Sequence, residues 1–139
     1  MVVAIGVGYG LLFPHVRPGM KKDKVTTLVT LARLKQGLEA FHQEYGHFPT
    51  GNVATVSRVL FGENVGGQNP KKILILNESA LQPIDSTGQI LDSWGQPIRL
   101  EATNAEMVTI FSLGRNRTDD GGRGDDMVVR AEPPAKQKP

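Results

Sequence analysis

The stretch from Phe111 to Val129 (FSLGRNRTDDGGRGDDMVV) constrains the fold of this chain most strongly. Apolar runs lead into it and out of it, and between them lie four aspartates, one asparagine and four glycines. A segment this polar does not belong in a hydrophobic core. Its composition is typical of a loop that either encloses a hard cation such as calcium or folds through local side-chain to backbone hydrogen bonds. We therefore expect an acidic loop between two short strands.

Composition narrows the classes of protein to which the chain can belong. Its 139 residues, 39% of them hydrophobic, suffice for one small domain that gains stability from a metal ion or a partner chain. The net charge of +2 provides no basic field, so we expect no nucleic-acid partner. The absence of cysteine excludes disulfides, thiolate metal sites and cysteine nucleophiles.

An uncharged run, VVAIGVGYGLLF, opens the chain and ends at Pro14. It is shorter than the roughly 20 residues that a spanning helix needs. Three interpretations compete: a signal-peptide core, a buried strand or helix, or the last part of a longer membrane helix. We favour the third, with residues 1–21 as a partial membrane anchor and its basic flank. The positive-inside rule would hold that flank in the cytoplasm, which argues against a simple anchor.

Residues 22–45 have the periodicity of an amphipathic helix. Apolar side chains recur every three or four positions, at Val25, Leu28, Leu31, Leu34, Leu38, Phe41 and Tyr45. Asp23 suits the positive end of the helix dipole, Gly46 suits the position after the last turn, and Pro49 prevents continuation. We expect this helix to lie on a sheet, and a sharper interpretation has its upper part also packing against copies of itself.

Weaker signals mark the connecting region, residues 46–90. A short helix is predicted from Val53 to Leu60, ended by Gly62. The apolar run 73–76 is predicted as an edge or sheet-like segment, and the segments 85–88 and 92–97 have the composition of turns.

Three strands are predicted in the sheet and acidic-loop region, residues 91–130. Segments 98–102 and 107–112 form a hairpin, and segment 127–130 follows the acidic loop. Residues 131–139 are rich in proline and are expected to be a disordered tail. The chain is therefore predicted to adopt an α+β fold over residues 22–130, in which a long N-terminal helix packs on a small antiparallel sheet of about three strands.

Four stretches, in this order, resemble one family. LARLKQGLEAFHQEYGHFPTG resembles the helix-end signature of type IV pilin-like subunits. LDSWGQPIRL, residues 91–100, resembles the Asp-Pro-Trp-Gly-x-Pro-Tyr turn of the major pseudopilin of type II secretion. FSLGRN, residues 111–116, and GGRGDDMVV, residues 121–129, resemble that subfamily's Phe-Ser-Leu-Gly-Ala-Asp segment and its glycine and acid segment. Together they cover roughly residues 22–130.

The resemblance implies a pilin-like fold, with an antiparallel sheet of three to four strands, and a structural role. Pseudopilins are anchored in the bacterial inner membrane by the first half of the helix, and their globular half lies in the periplasm. Subunits stack helically into a short filament with other pseudopilins and contact inner-membrane secretion components. In the major pseudopilin a calcium ion holds the C-terminal loop. We therefore expect a homo-oligomeric subunit with Ca²⁺ as its cofactor.

The N-terminus departs from the family pattern, which has a basic leader and Gly-Phe-Thr-Leu-x-Glu before the apolar run. We expect a truncated or atypical start, which leaves leader processing and filament assembly as open expectations. Ser93 replaces the family's proline in the Trp-Gly turn, a milder change.

Carried onto this sequence, the family's calcium site gives a set of expected ligands: Leu113, Asn116, Asp120, Asp125 and Asp126. Leu113 would contribute its backbone carbonyl, and Asn116 stands where the family usually has an aspartate. Around Asp119 and Asp120 this sequence has one residue more than the family pattern. The alignment therefore leaves open which of these two aspartates would be the ligand. Three arginines against four aspartates leave one net negative charge in the loop. That balance predicts weaker binding, or arginines that point outward or pair with a neighbouring subunit.

The sequence contains no recognisable catalytic set. His42 and His47 are five positions apart, which is not the spacing of a helical metal pair. Ser93 and Ser112 have no obvious base, and no G-x-S-x-G elbow is present. We predict a structural subunit and no enzyme; the alternative is a soluble or tethered calcium-binding interaction domain that forms no filament.

Overall fold

The computed structural model describes residues 22–104 and 106–133. Helix α1 (Lys22–Tyr45) is followed by helix α2 (Val53–Leu60) and by two short 3-10 turns, Val65–Gly67 and Glu78–Leu81. Both helices occupy the segments in which they were predicted. The N-terminal anchor predicted for residues 1–21 lies outside the described residues.

Three antiparallel strands form the sheet, in the spatial order β1-β2-β3. Strand β1 is Arg99–Asn104, β2 is Met107–Ser112 and β3 is Met127–Ala131. The predicted α+β class, with a long helix before a small antiparallel sheet, is confirmed within the described residues. Strand β3 ends one residue later than predicted, and most of the predicted tail lies outside the described residues.

Helix α1 buries the centre of its apolar stripe, namely Leu31, Leu34, Leu38 and Phe41, against the sheet and α2. Its 24 residues span about 36 Å at the α-helical rise. The helix ends where Gly46 takes a φ of +79°, and the Gly46 N–H donates to the His42 carbonyl oxygen at 2.7 Å. This is the left-handed termination for which glycine is favoured.

The sheet has an inner face on the core and an outer face away from it. Leu100, Ile110 and Val129 are register partners and share the inner face, against which α1 packs. Phe111 and Val128 are register partners on the outer face. This alternation gives β2 and β3 one apolar side toward α1.

A buried amide, that of Asn69, joins the loop after α2 to both helices. Its nitrogen donates to the carbonyl oxygens of Val59 and Ile73, at 2.9 and 3.0 Å. Its oxygen accepts from the Tyr45 hydroxyl and from the backbone N–H of Ile73. All four hydrogen-bonding positions of this fully buried side chain are therefore used.

The apolar run 73–76 is not one of the strands of the sheet. Leu74 makes a single bridge, and the backbone N–H groups of Ile75 and Leu76 both donate to the carbonyl oxygen of Leu60. Ile73, Ile75 and Leu76 are buried. The run is thus core packing beneath the C-terminal end of α2, which corrects the prediction of an edge segment for all but one residue.

Two turns of nearly identical sequence, DSTGQ at 85–89 and DSWGQ at 92–96, share one hydrogen-bonding pattern. In each turn the Oδ1 atom of the aspartate accepts from the backbone N–H groups two and four residues later, at distances between 2.9 and 3.0 Å. Gly88 and Gly95 have φ values of +88° and +81°. The two turns differ in burial, because Asp92 is only 2% exposed.

Within 22–104 and 106–133, no helix combines the length and the apolar content that crossing a bilayer requires.

Candidate functional site

The acidic loop, defined here as residues 113–126, connects β2 to β3. Ser112 and Met127 are register partners, so the two ends of the loop start side by side. Gly114 is buried with a φ of +73°, and a β-carbon added to it would overlap the backbone carbonyl of Asp125. The loop is therefore closed at its neck, where only glycine fits.

Leu113, the first expected ligand, lies at this neck with only 5% of its surface exposed. The side chain contributes to packing, and the backbone carbonyl is its one oxygen. A role as a carbonyl ligand therefore depends on the backbone of the neck rather than on a side chain.

Asn116 links the two acidic clusters of the loop. Its backbone N–H donates to Asp125 Oδ2 at 3.1 Å, and its side-chain nitrogen donates to Asp120 Oδ2 at 2.7 Å. Its side-chain oxygen accepts from the backbone N–H of Thr118. The structure therefore brings together three of the expected ligands. In the orientation observed, Asn116 presents nitrogen rather than oxygen to Asp120.

Asp126 holds the middle of the loop. Its Oδ2 atom accepts from the backbone N–H groups of Asp120 at 2.8 Å and of Gly122 at 3.0 Å. Its Oδ1 atom is buried and has no hydrogen-bond partner. A buried carboxylate oxygen without a donor is unfavourable, and among the side-chain atoms of the loop this is the buried one that lacks a partner.

Asp119 stands apart from this network. Its Oδ1 atom accepts from the backbone N–H of Gly121 at 2.9 Å, which is a local turn contact. Asp120, by contrast, contacts both Asn116 and Asp126. Of the two aspartates between which the sequence could not choose, Asp120 is the one placed among the other expected ligands.

The three arginines of the loop are all exposed, and in the described part of the chain none of them forms an ion pair. One of them, Arg117, donates from its guanidinium to the backbone carbonyl oxygen of Trp94 at 2.9 Å. The arginines therefore leave the aspartates unneutralised, and Arg117 ties the loop to the second of the two related turns.

The donor set fits calcium in kind, since carboxylate, amide and carbonyl oxygens are the ligands of a hard cation. A cavity of about 300 Å³ lies beside the loop on the outer face of the sheet, and Glu101, Asp119, Asp126 and Arg130 are among the residues that line it. The carboxylates are, however, turned toward backbone N–H groups. Among the described residues no cluster of three or more acidic or histidine side chains has metal-binding geometry.

The sequence analysis did not bring together three residues that the structure connects: Thr27, Asp92 and Ser112. Ser112 was considered there only as a serine with no obvious base, and the structure places the Asp92 carboxylate beside its hydroxyl. All three are nearly fully buried and polar. Asp92 Oδ2 accepts from the Ser112 hydroxyl at 2.7 Å, and Thr27 Oγ1 accepts from the backbone N–H of Ser93 at 3.0 Å. The repeated Asp-Ser-x-Gly-Gln stretch was the available signal, because it marks Asp92 as a turn residue, but not as a buried one.

The first of the two related turns is the more exposed one. A hydrogen bond from the Thr87 hydroxyl, with further bonds from the backbone N–H groups of Gln89 and Thr87, lowers the pKa of the Asp85 carboxyl below its ordinary value of 3.8. These donors favour the charged carboxylate.

Comparisons with models of known families, with curated proteins and with solved structures returned no match for this chain.

Proposed function

We propose that this chain is a structural subunit of a type II secretion pseudopilus or of a related type IV pilin-like filament. The observation that carries the proposal is the position of the acidic loop. It lies between the last two strands, and its neck is joined to the Trp94 turn, which is itself joined to the long helix. These are the same segments in which the sequence resembles the major pseudopilin.

Helix α1 offers a surface for assembly. Val25 and Val29 lie one turn apart, are only half-buried, and are not members of the core cluster. The lysines Lys22 and Lys24 beside them are exposed. An apolar stripe that the domain itself leaves partly uncovered is suited to packing between neighbouring helices in a filament.

A structural role also agrees with the state of the polar side chains. Ser112 is fully buried and already donates to Asp92, so it is not available to a substrate. His42 and His47 make ring contacts with Phe48 and Phe41. These contacts are packing interactions.

In this proposal the acidic loop holds calcium. Asp126 would be its central ligand through the unpartnered Oδ1 atom. Asn116, Asp120, Asp125 and the Leu113 carbonyl would be the further oxygen donors. Calcium would supply positive charge to a loop whose net charge is negative, and it would stabilise the closed form of the loop.

The proposed location is the bacterial inner membrane, with the globular domain in the periplasm and the segment 1–21 contributing to the anchor. The partners would be further copies of the chain, other pseudopilins and inner-membrane secretion components. These assignments rest on the resemblance described above.

Cross-linking in the native membrane tests the filament. A helical, head-to-tail contact generates open assemblies, so an amine-reactive cross-linker should give a ladder of dimers, trimers and larger species. Val29→Asp should shorten the ladder without changing the thermal midpoint, because Val29 lies outside the core cluster. Thr26→Asp, on the exposed side of the same turns, is the matched control. A monomer band alone, or a single dimer band, would exclude the filament.

A second function, a calcium-binding interaction domain that forms no filament, is favoured by the unpartnered Asp126 oxygen alone. It predicts stabilisation by calcium together with an absence of the cross-linked ladder. Cross-linking and the measurement of thermal stability with and without calcium therefore separate the two functions.

A further inference from the structure

A small group of buried polar side chains connects three separate parts of the fold. Thr27 comes from α1, Asp92 from the second related turn and Ser112 from the end of β2, and each is at most 2% exposed. The core is mostly apolar, and buried polar groups are retained in such surroundings only when they are hydrogen-bonded.

The contact between Asp92 and Ser112 is additional to what the turn requires. The comparison with Asp85 makes this visible, because Oδ1 of each aspartate accepts the same two backbone N–H groups of its own turn. Oδ2 of Asp92 is the atom that reaches Ser112, across 20 residues of sequence. The exposed turn thus forms without such a contact, whereas the buried turn is tied to β2.

Ser112 also contacts the acidic loop. Its hydroxyl donates to Asp92 and accepts from the backbone N–H of Gly114 at 3.1 Å. Gly114 is the residue that closes the neck of the loop against Asp125. The position of the neck is therefore fixed by a side chain whose other partner is the turn.

The same turn contacts the helix and the body of the loop. The backbone N–H of Ser93 donates to Thr27 Oγ1, in the second turn of α1. The backbone carbonyl oxygen of Trp94 accepts from Arg117. Among the hydrogen bonds of the described residues, two connections run from the loop to the turn, one buried and one exposed, and one runs from the turn to the helix.

We infer that Asp92, Ser112 and Thr27 form a buried relay that couples the order of the acidic loop to the N-terminal half of helix α1. Each of the three side chains is hydrogen-bonded to two neighbours or to a backbone group. Breaking one of these hydrogen bonds therefore leaves a buried donor or acceptor unpaired on the adjacent residue. Loop and helix then lose order together. A role for this coupling in filament assembly rests on the function proposed above, whereas the coupling between loop and helix does not.

Hydrogen–deuterium exchange of the full chain, in the presence of a chelator, tests the relay independently of calcium. Ser112→Ala should raise exchange about tenfold both in the loop, residues 114–126, and in residues 22–30 of α1. Asp92→Asn should act in the same direction, because the amide keeps the turn acceptor but presents N–H₂ to Ser112, whose hydroxyl proton then has lost its acceptor. Asp85→Asn is the matched control and should leave both segments unchanged.

Two further variants keep the test decisive if the buried substitutions unfold the chain. Thr27→Val removes only the helix acceptor, and since coupling is reciprocal it should raise exchange in the loop. Arg117→Ala alters an exposed side chain and should raise exchange in residues 22–30. Helix α2 is the internal reference. A change confined to the segment that carries the substitution, or a uniform change that includes α2, would overturn the relay.

Discussion

Gly114 packs against the carbonyl group of Asp125 so closely that a β-carbon at Gly114 would overlap it. The two residues stand at opposite ends of the acidic loop, and their approach closes it. The backbone of Gly114 also has a φ of +73°, in the left-handed region that other residues rarely adopt. The neck of the loop therefore requires glycine for two separate reasons.

Gly114→Ala should lower the free energy of unfolding by about 2–3 kcal/mol, because it adds overlap with backbone to the penalty for positive φ. Gly121→Ala is the matched control: Gly121 has a φ of +69°, and no heavy atom lies within 4 Å of its added β-carbon. That variant should lose only about 1 kcal/mol. Urea denaturation measures both, and equal losses would contradict the tight neck.

The elements of the fold were predictable because their signals are local. The apolar period of residues 22–45 and the glycine at 46 define α1 from its own sequence. The hairpin of β1 and β2 was expected from the short connector between its strands, and a third strand follows the acidic loop where it was expected. Within the part of the chain that the structure describes, segment 73–76 was misassigned, since four apolar residues cannot distinguish a strand from buried connecting chain.

The polar contacts of the interior were not predictable in the same way. Ser93 and Thr27 are 66 residues apart, and Asp92 and Ser112 are 20 apart, so no spacing rule connects them. Asn69 lies in a stretch rich in glycine and asparagine that reads as an ordinary loop. Asn69 is buried by tertiary packing, which local sequence propensity does not indicate.

Asn69→Ala should destabilise the domain by about 3 kcal/mol. The substitution leaves the backbone N–H and the carbonyl oxygen of Ile73 buried without their amide partner, and unpaired buried groups cost more than a hydrogen bond contributes. Tyr45→Phe removes one partner of the same amide and should cost about 1 kcal/mol. Thermal and urea unfolding measure both. A loss below about 1 kcal/mol for Asn69→Ala would show that water replaces the amide.

The ionisation of Asp85 should make the free energy of unfolding depend on pH. Its pKa is lowered in the folded chain by the Thr87 hydroxyl and by backbone N–H groups, so the charged carboxylate stabilises the fold above the ordinary value of 3.8. This contribution is lost as the pH falls through the lower, folded-state pKa. Asp85→Asn keeps an acceptor for the turn but has no charge to titrate.

The thermal midpoints of the wild-type chain and of Asp85→Asn should therefore differ at about pH 7 and converge by about pH 2. Asp119→Asn is the control, since Asp119 accepts a single backbone N–H in an exposed turn. A difference for Asp85→Asn that stays constant over this range would show that the turn, and not the charge, is responsible.

Calcium should raise the thermal midpoint of the full chain by several degrees relative to chelator, because an ion that binds only the native state stabilises it by about 2.7 kcal/mol at 100 times its dissociation constant. Asp126→Asn should abolish the shift, since Asp126 carries the unpartnered buried oxygen. Asp119→Asn, at the local turn of the same loop, should retain most of it.

Magnesium is the ion control, because its smaller, rigid octahedral shell suits a flexible loop poorly. The calcium site would be excluded by an unchanged midpoint at millimolar calcium. It would be misplaced if Asp119→Asn abolished the shift and Asp126→Asn did not, since the ion would then lie at the rim of the loop rather than at its centre.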